Sequence, residues 1–204
     1  MRRIDAHRQR RGGILPHVSA ELTVLSAGYA DDRVASTVVL IVEGDVRIIV
    51  DPGMVRSRDV ILDPLRALQI EPADITDVVL SHHHPDHTLN AALFTAARVH
   101  DFQAIYQDDV WTDADGEGRV LSPSVVLMET PGHTAQDVST AVRTEAGLVV
   151  CTHLWWSAEG PLEDPFCDEP AVLAASRERV LDLDPVLIVP GHGAPFAPDS
   201  STPV

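Results

Sequence analysis

Apolar residues in the first quarter of the chain fall in short blocks bounded by turns rather than at helical spacing. Residues 21–25, 37–42 and 46–50 read as strands. The last two are joined across Glu43-Gly44-Asp45 as a tight hairpin, and Asp51-Pro52-Gly53 ends the unit. The period then changes: Val60, Ile61, Leu65 and Leu68 recur at helical intervals over 59–68, and Pro72 closes that segment. A strand at 77–80, a helix over 86–97 and a short strand at 98–100 complete the first half. The second half repeats the rhythm with strands at 125–129, 138–142 and 148–152, a helix over 169–183 and a last strand at 186–189. In each half strands come first and a helix follows, which predicts an α/β fold of two sheets packed face to face with helices outside. No linker is long enough to divide it, so residues 14–204 are expected to form one domain.

Charge narrows the chemistry. Fifteen basic residues stand against 31 acidic ones, a formal net charge of −16, and five arginines (Arg2, Arg3, Arg8, Arg10 and Arg11) crowd the start. That basic segment, 1–13, lacks apolar periodicity and is expected to be a disordered tail. The more acidic remainder repels a polyanion, which counts against a nucleic-acid partner. Lysine is absent altogether, excluding a Walker-A phosphate loop, a Schiff base and a pyridoxal enzyme; no Gly-x-Ser-x-Gly elbow is present either. With two cysteines, Cys151 and Cys167, and no apolar stretch after the leading arginines, a reducing cytoplasm is the expected location. No run approaches the roughly 20 apolar residues of a membrane span.

The chemistry is concentrated in Ser81-His82-His83-His84-Pro85-Asp86-His87, four histidines and one carboxylate directly after an apolar strand. Imidazole nitrogens and carboxylate oxygens are common ligands of divalent metals, and one strand-to-loop junction can aim several at one point. His82 and His84 sit two apart on one side of an extended backbone, while Asp86 and His87 open the next element. Three more strand ends finish in histidine: His133 after Pro131-Gly132, His153 after Val150-Cys151-Thr152, and His192 after Pro190-Gly191. Ligand types alone leave zinc, iron and manganese open.

From Leu22 to Phe196 the chain resembles the metallo-β-lactamase-fold hydrolases. The resemblance rests on His-x-His-x-Asp-His (His82 to His87), Pro-Gly-His-Thr (Pro131 to Thr134), Pro-Gly-His-Gly (Pro190 to Gly193) and the early turn Ile49-Val50-Asp51-Pro52-Gly53. The stretch from Ser176 to Gly193 is most similar to the small single-domain subgroup around metallo-β-lactamase domain-containing protein 1. The resemblance implies a four-layer αββα sandwich. It also implies one metal held by His82, His84 and His133, a second held by Asp86, His87 and His192, and an Asp51 that orients a ligand or supports the loop. Asp86 would also orient the attacking nucleophile. Where the family has a Gly-Asp pair whose carboxylate bridges both metals, this chain reads Thr152-His153. One imidazole cannot bridge as a carboxylate does, because its two nitrogens point apart. His153 is therefore expected to bind one metal terminally, the second one.

Weaker signals complete the reading. His83 occupies a position that varies in the family and is expected not to ligate. His7, His17 and His100 lack partners at ligand spacing and read as surface or internally satisfied residues. Cys151, inside an apolar strand, reads as a packed, inert thiol. Trp155 and Trp156 are expected to wall a substrate pocket or pack an interface, and residues 157–167 to form a loop over its mouth or a plain connection. Glu163, Asp164 and Asp168 in and beside that loop read as solvated, one of them free to compensate for the missing carboxylate. The sum is a metal-dependent hydrolase with two divalent ions, zinc first and iron or manganese as alternatives, acting on a small ester, thioester, lactone or amide. Its partners would be a small-molecule substrate and a second copy in a homodimer, with no membrane. The alternatives are a phosphodiesterase or ribonuclease on the same site, an iron-dependent redox enzyme, and a non-catalytic metal-binding domain.

Overall fold

The structure, a computed structural model, describes residues 19–204. The expected basic tail, His7 and His17 lie outside the described residues. Strand β1 (Glu21–Ser26), the ribbon of β2 (Tyr29–Ala30) and β3 (Val34–Ala35), β4 (Val38–Glu43) and β5 (Val46–Val50) come first, followed by helix α1 (Asp59–Ala67) and β6 (Asp77–Val79). A four-residue helix α2 (Pro85–Thr88) precedes β7 (Arg98–His100), β8 (Ala104–Gln107), β9 (Val110–Asp113), β10 (Val120–Ser122) and β11 (Val125–Glu129). Then come β12 (Val138–Thr144), β13 (Gly147–Thr152), helix α3 (Pro170–Leu181) and β14 (Leu187–Pro190). One sheet has seven strands in the order β1-β4-β5-β6-β7-β8-β9; the other has five, β10 through β14 in sequence.

Alternation along the strands builds the layers. In β4, Val39 and Ile41 face the second sheet while Val38 and Leu40 face α1; in β5, Ile48 and Val50 point one way and Ile49 the other. The second sheet does the same. Val149, Cys151 and Val189 join the inter-sheet core, and Val150 and Ile188 pack with Leu173 and Val180 of α3. Because both faces of the central strands are covered, they read as continuous apolar runs, and the result is mixed sheets flanked by helices in an αββα sandwich. Truncating a fully buried residue such as Ile41 or Ile49 to alanine costs about 2–5 kcal/mol in cores of this kind.

Two expectations need correction. The helix anticipated over 86–97 ends at Thr88, with a single 3-10 turn at Ala91–Leu93. Asn90 is captured from outside: its N–H bonds Pro52 O at 2.8 Å, its side-chain amide donates to Gly53 O at 2.6 Å, and it accepts from Arg58 Nε at 2.9 Å. Those tertiary bonds outweigh helix propagation. Strands β8, β9 and β10 had no counterpart in the sequence reading, because β9 is exposed throughout and shows no buried alternation.

The topology places the site. Strands β5 and β6 pair in parallel, as do β13 and β14, and β11 runs antiparallel to β12, which runs antiparallel to β13. The ends of β5, β6, β11, β13 and β14 therefore lie along one edge of the sandwich, and the segments carrying Asp51, His82–His87, His133, His153 and His192 follow from them.

Candidate metal centre

Asp51 leaves β5 in the left-handed region, φ 50°, a conformation that aspartate tolerates better than most side chains. Its carboxylate accepts the Ser81 N–H at 2.7 Å through one oxygen and faces His87 Nδ1 at 2.9 Å through the other. Ser36 donates its hydroxyl to the Asp51 carbonyl at 2.8 Å. The turn must be glycine two residues later, because a Cβ on Gly53 would fall 1.6 Å from the Asp86 carbonyl oxygen. The start of α2 is thus pressed against the end of β5, and Met54 N–H bonds the same Asp86 carbonyl at 3.0 Å.

The imidazoles are fixed from behind, leaving their other nitrogens to converge. His87 gives Nδ1 to Asp51, His133 gives Nδ1 to Asp164 Oδ2 at 2.8 Å, and His192 donates Nδ1–H to the Ala35 carbonyl at 2.9 Å. With Nδ1 as the donor, the neutral form of each ring turns its Nε2 lone pair toward the site. His82 Nε2 and His84 Nδ1 are 3.0 Å apart, and His84 Nδ1 and His133 Nε2 are 3.1 Å apart. His84 Nδ1 cannot donate a proton to both neighbours, so the convergence is not explained by hydrogen bonds among neutral rings. His87 Nε2 is buried without a hydrogen-bond partner, 3.4 Å from Asp86 Oδ2, which in turn is 3.5 Å from His192 Nε2.

His153 lies among the other rings. It is fully buried, with centroids 4.1 Å from His133, 4.6 Å from His87 and 4.7 Å from His82, and its Nε2 is 3.0 Å from His192 Nε2. Its Nδ1 is buried without a partner. Gly191 makes the room, since a Cβ there would meet the His153 ring at 2.4 Å. Three groups, His82–His84–His133, Asp86–His87–His192 and His82–His87–His153, bring ligand atoms within 4.8 Å of one another.

Electrostatics match this donor set to a cation. Burial, with repulsion from neighbouring imidazoles, lowers the pKa of His82 and His153, and burial lowers those of His84 and His192, so these rings keep their lone pairs. Burial would also lower His87, but the Asp51 and Asp86 carboxylates raise it to about 9. Burial pushes Asp86 up, yet the closeness and charge of His87 bring it to about 2. The two carboxylates call for positive charge where imidazoles converge, and neutral imidazole with ionised carboxylate is the donor set a divalent metal takes.

Above these groups lies a cleft of about 380 Å3, with His84, Asp86, His133 and His192 at its base and Val34, Pro85, Trp156 and Phe166 as walls. Trp156 therefore lines the cleft, but Trp155 does not. Its ring is fully buried in the core under α3, near Phe196 and Arg177, and its Nε1–H donates to the Pro203 carbonyl at 2.8 Å. The two lie past the end of β13, where the irregular backbone turns one ring into the core and the other into the cleft. His83 turns outward to Asp101 at 2.9 Å, and His100 pairs through Nε2 with Asp77 at 2.8 Å while its buried Nδ1 has no hydrogen-bond partner. Cys151 packs between the sheets, where burial pushes its thiol pKa up. Asp164 is not solvated as expected; its side chain is fully buried against His133. Nothing in the spacing of an acidic residue in a proline-flanked loop announced this role, nor that of Phe166.

A profile of the metallo-β-lactamase superfamily matches residues 31–101, spanning Asp51 and the histidine cluster. Over 195 residues the chain is 31% identical to metallo-β-lactamase domain-containing protein 1 of Xenopus laevis, covering 89% of this chain and 83% of that protein. The chain belongs to the metallo-β-lactamase superfamily. It spans 59–62% of the length of the rat, human and mouse proteins of the same name. Among solved structures, a metallo-β-lactamase homologue from Thermotoga maritima superposes with a TM-score of 0.70 at 26% identity, covering 88% of this chain and 100% of that one. An N-acyl homoserine lactone hydrolase with N-hexanoyl-L-homoserine at its catalytic metal centre superposes at 0.64 and 20% identity, covering 86% and 93%, a likeness of fold. Within this superfamily member, the fold brings together His82, His84, Asp86, His87, His133, His153 and His192, and turns His83 and Trp155 away.

Proposed function

We propose that the protein is a metal-dependent hydrolase of small uncharged acyl substrates: an ester, thioester, lactone or amide. His82, His84 and His133 would hold one divalent ion, and Asp86, His87 and His192 a second, with His153 added to the second group in place of a bridging carboxylate. Zinc is the ion we favour, with iron or manganese as the alternatives. Bound ions of this kind supply hydroxide near neutral pH and polarise a carbonyl oxygen.

The observation that carries the substrate class is the cleft itself: its walls are apolar, no arginine lines it among the described residues, and the chain has no lysine. A phosphodiester would find no arginine or lysine there among the described residues, whereas an acyl chain finds Trp156, Phe166 and Val34. The fold shared with a lactone hydrolase agrees with this class. Asp86 is the carboxylate lining the cleft. Held ionised, it can accept a hydrogen bond from the attacking water and set its direction. Trp156 and Phe166 exclude bulk water from one side.

Elemental analysis of purified protein, followed by chelation, metal restoration and a panel of p-nitrophenyl esters, thioesters, lactones and bis-p-nitrophenyl phosphate, tests the reading. We expect stoichiometric metal and acyl hydrolysis that vanishes on chelation and returns with metal. Metal-dependent turnover confined to the phosphodiester would reverse the substrate assignment.

A further inference from the structure

Between Pro161 and Pro170 every residue is exposed or half-buried except Asp164. Leu162 and Phe166 flank it with 76% and 57% of their surfaces open, and the half-buried Cys167, packed against the α3 core, is the apolar anchor at the far end of the stretch. A buried carboxylate in an exposed loop is costly unless its oxygens are satisfied, and those of Asp164 are. Oδ2 accepts from His133 Nδ1 at 2.8 Å and from Trp156 Nε1–H at 3.1 Å, and Oδ1 accepts the Phe166 N–H at 2.9 Å. No arginine forms an ion pair with it among the described residues. A further tether lies at the loop's base, where Arg177 donates to the Pro161 carbonyl at 2.7 Å.

We propose that Asp164 is a positioning residue for His133, and that through it the order of the 157–167 loop is coupled to metal occupancy. The inference rests on the metal-centre reading above. Asp164 keeps the proton on His133 Nδ1 and so presents Nε2 to the point where His82 and His84 converge. A cation at that point draws electron density from the ring and makes Nδ1–H a stronger donor, tightening the grip on Asp164 and on the loop that carries Phe166. Linkage is reciprocal, so the loop's hold raises metal affinity by the same factor that metal stabilises the closed loop. Asp164 thereby returns near the site a negative charge that His153 does not supply, through a hydrogen bond rather than as a ligand.

The test uses the full chain loaded with Zn2+, in wild-type, Asp164→Ala, Asp164→Asn and Glu163→Gln forms. It reads metal affinity by chelator competition and proteolysis within 157–167 with and without metal. In the wild type, metal should slow cleavage in the loop. Asp164→Ala should bind metal about 10–100-fold more weakly, and its loop should be cut at a rate indifferent to metal. Asp164→Asn, nearly isosteric and still an acceptor, should fall between and serves if the alanine variant does not fold. Glu163→Gln, which removes an exposed acid next to Asp164 in the same loop, should retain wild-type affinity. Wild-type affinity and loop protection in both Asp164 variants, with metal bound, would overturn this inference alone. A wild-type chain that binds no metal overturns the functional reading and this inference with it.

Discussion

Two carboxylate–imidazole pairs grip the candidate metal centre, and they are built differently. Asp51 stands at the end of β5 with its oxygens shared between His87 and the Ser81 N–H, so one side chain ties two parallel strands to a ligand. Asp164 does the same for His133 from a loop whose neighbouring residues are open to water. The first anchor is inseparable from the sheet; the second can be lost without disturbing a strand. A third pair, Asp77 with His100, has the same chemistry at 2.8 Å, yet it belongs to no group of three candidate metal ligands among the described residues. An aspartate behind a histidine does not make a site; convergence of several such histidines does.

The harshest way to break the comparison is to remove the point that the two anchors serve. His82→Ala or His133→Ala should lose stoichiometric metal and reduce metal-dependent ester hydrolysis to the level of the chelated wild type. Metal analysis run beside turnover decides it, and a His82→Ala chain that keeps both would refute the proposed ligand set. Next in size, Asp51→Ala leaves buried donors on Ser81 and His87 unmet and should destabilise the apo fold by about 1–3 kcal/mol in urea titration. Asp164→Ala should shift the apo midpoint much less. Equal shifts would erase the distinction drawn between the anchors.

Smaller effects sharpen it. Gly191→Ala pushes a Cβ into the His153 ring, so we expect weaker binding of one metal equivalent with the fold kept, read by chelator competition and circular dichroism; two equivalents bound as in the wild type would argue that His153 does not ligate. Trp156→Ala should raise KM for a medium-chain p-nitrophenyl ester about tenfold, some 1.4 kcal/mol, with kcat changed less. A KM that does not respond to chain length in either protein would remove Trp156 from the acyl wall.

Asp77→Asn probes the pair that is not a site. Burial raises the Asp77 pKa, but bonds from His100 and Thr76 and the charge of Arg98 leave it below its ordinary 3.8. A depressed carboxylate stabilises the fold above its unfolded pKa and loses that contribution as pH falls through the folded value. The wild-type advantage over Asp77→Asn in urea should thus be constant from about pH 7 to about pH 5 and shrink in stronger acid. Metal affinity should be unchanged.

Much of this was readable from residue order. The strands of the central layers alternate between two buried faces, and their apolar runs stand out; the helix-spaced Ile61 and Leu65 are both buried under α1. The histidine motif is local, so His82, His84, Asp86 and His87 come as a unit. The failures share a cause. Asn90 was pulled from an expected helix by bonds to Pro52 and Gly53, more than 35 residues away in sequence. Asp164 looked like a solvated loop acid because its partner, His133, lies 31 positions earlier. Trp155 and Trp156 were read as one feature, and the local backbone direction separated them.

Sequence alone determined which residues can bind a cation and which strands can bury two faces, because side-chain chemistry and period-two alternation are properties of neighbours along the chain. Only the tertiary structure decided which imidazole nitrogens face inward, that His153 sits among the other rings, and that a loop carboxylate backs His133. Those outcomes depend on hydrogen bonds between segments that meet when parallel and antiparallel pairing bring five strand ends to one edge.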